Sequence, residues 1–297
     1  MTGADALTAD PERTTLDKAA AENFPVAPFF LPRAWRTDLM AVYGFARLVD
    51  DIGDGDLAPG GADARLLGVT GADDRLVLLD AFEADLRRVF DGTPRHPLLR
   101  RLQPTVRRHA LTPGPFLALI AANRQDQLVG RYETYDDLLA YCELSANPVG
   151  RLVLAVTGTG TPERVRRSDA VCTALQIVEH LQDVAEDLRR DRIYLPAEDM
   201  KRFHVDETDL AAKTAGASVR ALVAYEAERA RNLLNEGTPL VGSVHGRLKL
   251  LLAGFVAGGR AAVEAIAAAE YDVLTGPPKA GKLRLLREVG GTLRGEG

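Results

Sequence analysis

Apolar side chains return every three to four positions along most of the chain, in the stretches 34–52, 74–90, 96–109, 114–129, 134–158, 162–190, 218–236 and 243–272. That period places one apolar stripe on each of a series of helices. Alternation of period two is nearly absent, and alanine and leucine outweigh the β-branched residues that favour strands. Proline and glycine fall between the periodic stretches, as in "DGTPRHP" and "ALTPGP", where they end one helix before the next begins. The pattern predicts an all-α chain. Residues 1–20 and the glycine-rich 287–297 read as flexible ends, and no linker composition divides 21–286, which reads as one domain. The longest irregular stretch, 53–74, follows an acidic cluster, and a loop of that length is usually functional or mobile.

Two of these helices carry charge in an unusual way. In "QIVEHLQDVAEDLRRDRIYLP", residues 176–196, Ile177, Leu181, Val184 and Leu188 make the packing stripe of what reads as one helix. Glu179, Asp183, Glu186 and Asp187 crowd the opposite face, with no lysine or arginine before Arg189. In "RTDLMAVYGFARLVDDIGDGD", residues 36–56, Val42, Phe45, Val49 and Ile52 pack, while Tyr43, Arg47, Asp50 and Asp54 share the other side with Asp51 beside them. Like charges four residues apart oppose a helix by roughly 0.2–0.5 kcal/mol per pair. A single acidic face is usually a solvated one. Two that lack mixed charge, each bordered by basic and aromatic residues, call for a cation. Carboxylates without histidine or thiolate partners suit a hard ion such as Mg²⁺, which completes its octahedron with water and substrate phosphate. The spacing therefore predicts magnesium, and with it a diphosphate.

Composition removes other classes. The chain is 46% apolar and 27% charged with a net charge of −5, and no basic stripe suggests nucleic acid. The longest apolar run, "LLLAGFVAGG" at 250–259, stops at Arg260, so no membrane span is expected, and the N-terminus lacks the apolar core of a signal peptide. Cys142 and Cys172 match no zinc or redox spacing and read as reduced thiols of a cytoplasmic protein. The five histidines form no H-E-x-x-H pair, and there is no G-x-S-x-G elbow. "GPPKAGKL" at 276–283 imitates a P-loop, but Leu283 stands where a hydroxyl should hold magnesium, so it reads as a polar connector. Pro148 and Gly150 in "LSANPVGR" mark either a boundary between two helices or a break that makes room for ligand. His180 is either a partly buried histidine or a contact of the acidic site.

Two aspartate-rich helices, the second followed by "DRIYLP", resemble the squalene/phytoene synthase family from about Glu22 to Leu285. The resemblance implies a single-domain isoprenoid synthase helical bundle with a central cavity, in which two acidic motifs face each other across Mg²⁺ and a prenyl diphosphate. The first motif matches at Asp50, Asp51 and Asp54, with Tyr43 and Arg47 resembling contacts to the diphosphate. The second matches at Asp183 and Asp187, with Gln176 one turn before and Arg192 and Tyr194 after. Asp126 matches a family aspartate ahead of Tyr141–Cys142. "AENFPVAPFFLPRAWR", "SANPVGRLVL" and "LQDVAED" resemble the bacterial branch that makes hydroxysqualene from presqualene diphosphate. Condensing branches commonly carry arginine before the first aspartate of the second motif, and here Gln182 replaces it. Glu179 stands at a position where the family commonly has asparagine.

On this resemblance Asp50, Asp54, Asp183 and Asp187, with Glu179, would hold magnesium, and Arg47, Arg192 and Tyr194 would neutralise the departing diphosphate. Tyr141, Asn147 and Gln176 would be candidates to place the water that captures the cation. No nicotinamide cofactor is expected, because no dinucleotide fingerprint is present. Enzymes that supply presqualene diphosphate and reduce hydroxysqualene are the implied partners. The long apolar substrate suggests a peripheral contact with the inner face of the membrane. The alternatives are a head-to-head condensing synthase making presqualene diphosphate, squalene or phytoene, and a non-catalytic helical scaffold.

Overall fold

A computed structural model describes residues 15–20, 26–57, 61–70, 74–278 and 280–295. Among them there is no strand, and a lone bridge joins Arg131 and Ile193. Contacts gather into two units, Met1–Gln127 and Leu128–Gly297. The division falls within "DQLVGRYE", a stretch without linker composition, which is why the sequence reads as continuous there.

The first unit is built around α1, Arg33–Asp54. The predicted packing face is fully realised: Val42, Phe45, Val49 and Ile52 are all at most 4% exposed. Around it lie α2 (Ala62–Leu67), α3 (Arg75–Asp91), α4 (Pro97–His109) and α5 (Gly114–Gln125). Phe45 stacks on Phe82 of α3 at 5.4 Å and meets Phe116 of α5 edge-on at 5.0 Å. Helix α1 ends in a Schellman turn: Gly55 takes a φ of 76°, its N–H reaches Ile52, and Asp56 N–H reaches Asp51. Residues 15–20, expected to be flexible, form a helical turn whose Lys18 pairs with Asp51 at 2.7 Å. Residues 1–14 lie outside the described part.

Within the 53–74 stretch, α2 is a helix the apolar period missed. It is too short to show a period, and a distant contact fixes it. His96 caps α4 by accepting Leu98 N–H at Nδ1, so its Nε2 carries the proton and donates to the buried Asp63 of α2 at 3.1 Å. Asp38 on α1 is a second buried carboxylate, receiving Thr105 Oγ1, Arg108 Nη1 and His109 Nε2 at 2.8, 2.6 and 2.9 Å.

In the second unit α6 (Tyr135–Ser145) starts with a Thr134–Asp137 capping box, and α7 covers Asn147–Val156. Pro148 thus sits at the start of α7, the boundary reading of the two that the sequence left open. Helix α8 (Pro162–Gln182) packs against α7, against α12 (Ala217–Gly237) and against α14 (Gly246–Ala268). The expected single helix over 176–196 is interrupted at Asp183, where φ is −106° and ψ is 11°, and restarts as α9, Val184–Arg189. The stripe of Ile177, Leu181 and Val184 continues buried across the interruption, so the apolar period carries no sign of it.

Short α10 (Ala197–Arg202), α11 (Glu207–Leu210) and α13 (Pro239–Gly242) also escaped the period. Helix α14 is long and apolar enough to cross a membrane by composition, but 61% of that window is buried in protein, as in a core helix. The last helix, α15, runs from Lys282 to Arg294, into the segment whose glycines suggested an irregular tail. It packs on α14, and that contact outweighs the glycine penalty.

Glu226 on α12 is 1% exposed, and its Oε1 accepts Arg229, which also binds Asp199 of α10. Burial pushes its carboxyl up to about 7, against the Arg229 charge and helped by Asp199. The fold therefore favours protonated Glu226. Stability from this group is present at low pH and is lost as pH rises from about 4.5 to about 7. Glu226→Gln should change stability little at pH 5 and raise it on the order of 2–4 kcal/mol at pH 8, as urea unfolding at both values would read. Equal shifts at the two pH values would contradict this.

Candidate functional site

The first acidic motif is organised by its own unit. Asp50 is exposed, Tyr43, Arg47 and Asp54 are half-buried, and Asp51 turns inward at 3% exposure. Arg47 reaches Asp51 through Nε and Nη2, each at 2.9 Å, and Lys18 adds a second cation. Asp51 is thus neutralised inside the unit and ties Arg47 down. Asp50 accepts the amide of Asn123 on α5 at 3.1 Å. Asn123 approaches so closely that a Cβ on Gly53 would stand 2.0 Å from its Oδ1, which explains the glycine between Asp50 and Asp54. The Gly53 carbonyl accepts Gln127 at 2.9 Å and Arg75 at 3.1 Å, holding the end of α1. Asp126, half-buried, follows α5 one turn after Asn123.

The second motif lies on α8, the Asp183 interruption and α9. Both Glu186 and Asp187 donate their N–H to the Asp183 carbonyl at 2.8 Å, so the backbone of one aspartate orients the next. Glu179 is exposed, while Asp183 and Asp187 are half-buried. Burial drives the Asp187 carboxyl up to about 7; the Asp183 charge adds to the rise and Arg192 opposes it. A cation would relieve that repulsion. The donors are all carboxylate oxygens, which fits a hard ion. Among the described residues no three acidic, imidazole or thiol groups converge as a ready-made cage. Mg²⁺ does not need one, since it is commonly held by one or two carboxylates plus water and substrate phosphates.

Arg192 and Tyr194 are set by the segment after α9. Ile193 N–H donates to Gly130 at 2.8 Å, Ala197 N–H to Tyr132 at 2.8 Å, and Arg131 grips Asp191 and Glu207. Tyr194 then stacks on His180 at 3.7 Å with the rings 10° apart, within a cluster that includes Tyr132 and Tyr141. Gln176 donates to His180 Nε2 at 3.2 Å. Burial, reinforced by the Arg192 charge, pushes His180 down to about 3, so it is neutral at ordinary pH. The structure makes His180 both things the sequence offered, a buried histidine and a neighbour of the site. Asn147 is 4% exposed and accepts Thr173 Oγ1 at 3.0 Å. Gln182 donates its amide to the Pro278 carbonyl.

The second unit thus brings together Tyr141, Gln176, His180 and Tyr194, with Asp187, Arg192 and Asp183 electrostatically coupled beside them. Lys18, Asn123, Gln127 and Tyr132 were missed by sequence reasoning. Each acts across a fold contact, and none belongs to a spaced motif. Cys142 and Cys172 are free thiols, pushed by burial up to about 12 and about 11. In the "GPPKAGKL" stretch, Lys279 and the side chains of Lys282 and Leu283 lie outside the described residues.

Comparison with known proteins supports the fold and gives the family. The squalene/phytoene synthase family model matches residues 17–285. A hydroxysqualene synthase of Zymomonas mobilis is 34% identical over 226 residues, covering 75% of this chain and 71% of that one. A 15-cis-phytoene synthase of Synechococcus elongatus is 31% identical, covering 73% and 70%. The crystal structure of squalene synthase HpnC from Alicyclobacillus acidocaldarius superposes with a TM-score of 0.77 at 42% identity, covering 88% of this chain and 93% of that one. With the acidic motifs, the all-α fold and these relatives in agreement, the chain belongs to the squalene/phytoene synthase family.

Proposed function

We propose that this chain converts presqualene diphosphate and water to hydroxysqualene and diphosphate with the help of magnesium. The observation that carries this reading is Gln182. Where the resemblance implies that condensing branches commonly carry an arginine, this chain has a neutral amide committed to the Pro278 carbonyl. One cation fewer suits a site that handles one diphosphate, whereas condensation must manage two.

In the second unit Asp183 and Asp187 would hold magnesium, with Glu179 as a further donor, and in the first unit Asp50 and Asp54 are its candidate ligands. Bound there, magnesium supplies charge withdrawal from the leaving diphosphate. Arg192 and the Tyr194 hydroxyl neutralise the remaining oxygens as the carbon–oxygen bond breaks. The neutral His180 adds no positive charge near the carbocation. Its bond from Gln176 uses the Gln176 amide nitrogen, leaving the carbonyl oxygen to accept from the attacking water. Water oxygen bonds to carbon, and its proton leaves with the diphosphate. Asn147, whose carbonyl oxygen is committed to Thr173, and Tyr141, packed among rings, are the weaker candidates for placing that water.

The test is incubation with presqualene diphosphate and, separately, farnesyl diphosphate, with magnesium and without NADPH, read by mass spectrometry. Hydroxysqualene from the first and nothing from the second is expected. Presqualene diphosphate or a longer hydrocarbon from the linear substrate would favour the condensing reading suggested by the phytoene synthase relative.

Magnesium binding should also depend on pH. Asp187 must be ionised to ligate, and its carboxyl sits at about 7 in the metal-free protein. Affinity should therefore rise about ten-fold between pH 6 and pH 8, measured by calorimetric titration. An affinity unchanged across that range would remove Asp187 from the ligand set.

A further inference from the structure

Helix α15 emerges from the second unit half uncovered. Positions 285, 286, 289, 292 and 293 share one side of it. Toward its end that side is covered: Thr292 is buried, and Val289 and Leu293 are half-buried. Toward its start the same side is bare, with Leu285 at 39% and Leu286 at 68% exposure. Exposed Arg284 and Arg287 each lie about 100° round the helix from the nearest leucine, with half-buried Glu288 on the same turn and exposed Arg294 further along, in a protein whose net charge is negative. On α14, against which α15 packs, Leu250 is exposed as well. The segment leading into α15 is anchored where Pro278 accepts Gln182, the residue before Asp183.

We infer that the first turns of α15 form a docking surface for an anionic lipid bilayer. The leucine pair enters the acyl boundary, and Arg284 and Arg287 meet lipid phosphates. A short basic helix with a bare apolar side has the make-up of an interfacial element. The pairing of exposed arginines with bare leucines matches an anionic bilayer, which presents a phosphate layer over an acyl interior, better than a second copy of this chain, which offers no such layer. The anchor at Gln182 brings the surface to the chain's second acidic motif, so a substrate with long apolar tails can pass from lipid to site. That purpose rests on the proposed prenyl diphosphate chemistry; the surface does not.

The experiment is co-sedimentation of the full chain with phosphatidylcholine vesicles, with and without phosphatidylglycerol, in the absence of substrate. Wild type should bind the vesicles containing phosphatidylglycerol and bind phosphatidylcholine alone far less. Arg284→Glu combined with Arg287→Glu should weaken binding at least ten-fold, and so should Leu285→Ser combined with Leu286→Ser. Both pairs are exposed, and circular dichroism would show the fold intact. Turnover in detergent micelles should stay at the wild-type level. Vesicle binding that is absent, or undiminished in both double variants, would overturn the inference. So would a wild-type dimer that the leucine variant converts to monomer. Vesicle binding without turnover of presqualene diphosphate would leave this surface standing and sink only the proposed reaction.

Discussion

Asp183→Asn should lower turnover of the prenyl diphosphate by about 10²–10³-fold while leaving the fold intact, because on the proposed reading it removes a carboxylate that would hold the magnesium needed to draw charge from the leaving group. Asp183 makes no side-chain cap on α9, and its main-chain carbonyl accepts the N–H groups of Glu186 and Asp187. Asparagine preserves both the carbonyl and the side-chain volume. The same change removes one of the influences that raise Asp187, so the Asp187 titration should move below about 7. NMR of the metal-free protein reads that shift independently of activity. A loss of less than ten-fold in turnover, with Asp187 unmoved, would show that Asp183 takes no part in the charge cluster.

The largest loss of stability should come from a residue outside the acidic motifs. Asp38→Asn should cost about 3 kcal/mol at neutral pH, since it strips a 1% exposed carboxylate of its charged partners on α4. Burial raises the Asp38 carboxyl, but hydrogen bonds from His109, Thr105 and Arg108, with the Arg108 charge, outweigh it and hold the group below its ordinary value of 3.8. A depressed carboxylate contributes its full stability above its unfolded value and loses it as pH falls through its folded value. Wild type and variant should therefore differ most above pH 5 and converge in acid, as urea unfolding at neutral and acid pH would show. A gap of the same size in strong acid would mean that packing, not charge, is what the substitution removed.

Asp38 also shows which parts of the molecule were legible in the sequence. The helices α1, α3, α4, α12 and α14 follow from apolar period because each buries a long stripe. Asp50, Asp54, Asp183 and Asp187 stand out because acids spaced four apart oppose their own helix. Asp38 gives no such signal, for its partners lie 67–71 residues away. Asn123 and Gln127 are equally silent, reaching α1 across 73 and 74 residues. The interruption at Asp183 is hidden for another reason: two dihedral angles change while the buried stripe runs on. Short helices such as α2 and α10 have too few residues for a period, and they exist because a carboxylate is gripped from afar, Asp63 by His96 and Asp199 by Arg229.

The pinning of the Gly53 carbonyl by Arg75 and Gln127 has an evolutionary side. The carboxyl end of α1 is fixed by its own Gly55–Asp56 turn and by residues on α3 and just after α5, not by the chain beyond Asp56. Relatives could therefore lengthen, shorten or exchange the residues between Asp56 and Asp63 without disturbing the aspartates upstream. A peptide tag or a foreign loop grafted into that connection should likewise leave the acidic helix in place.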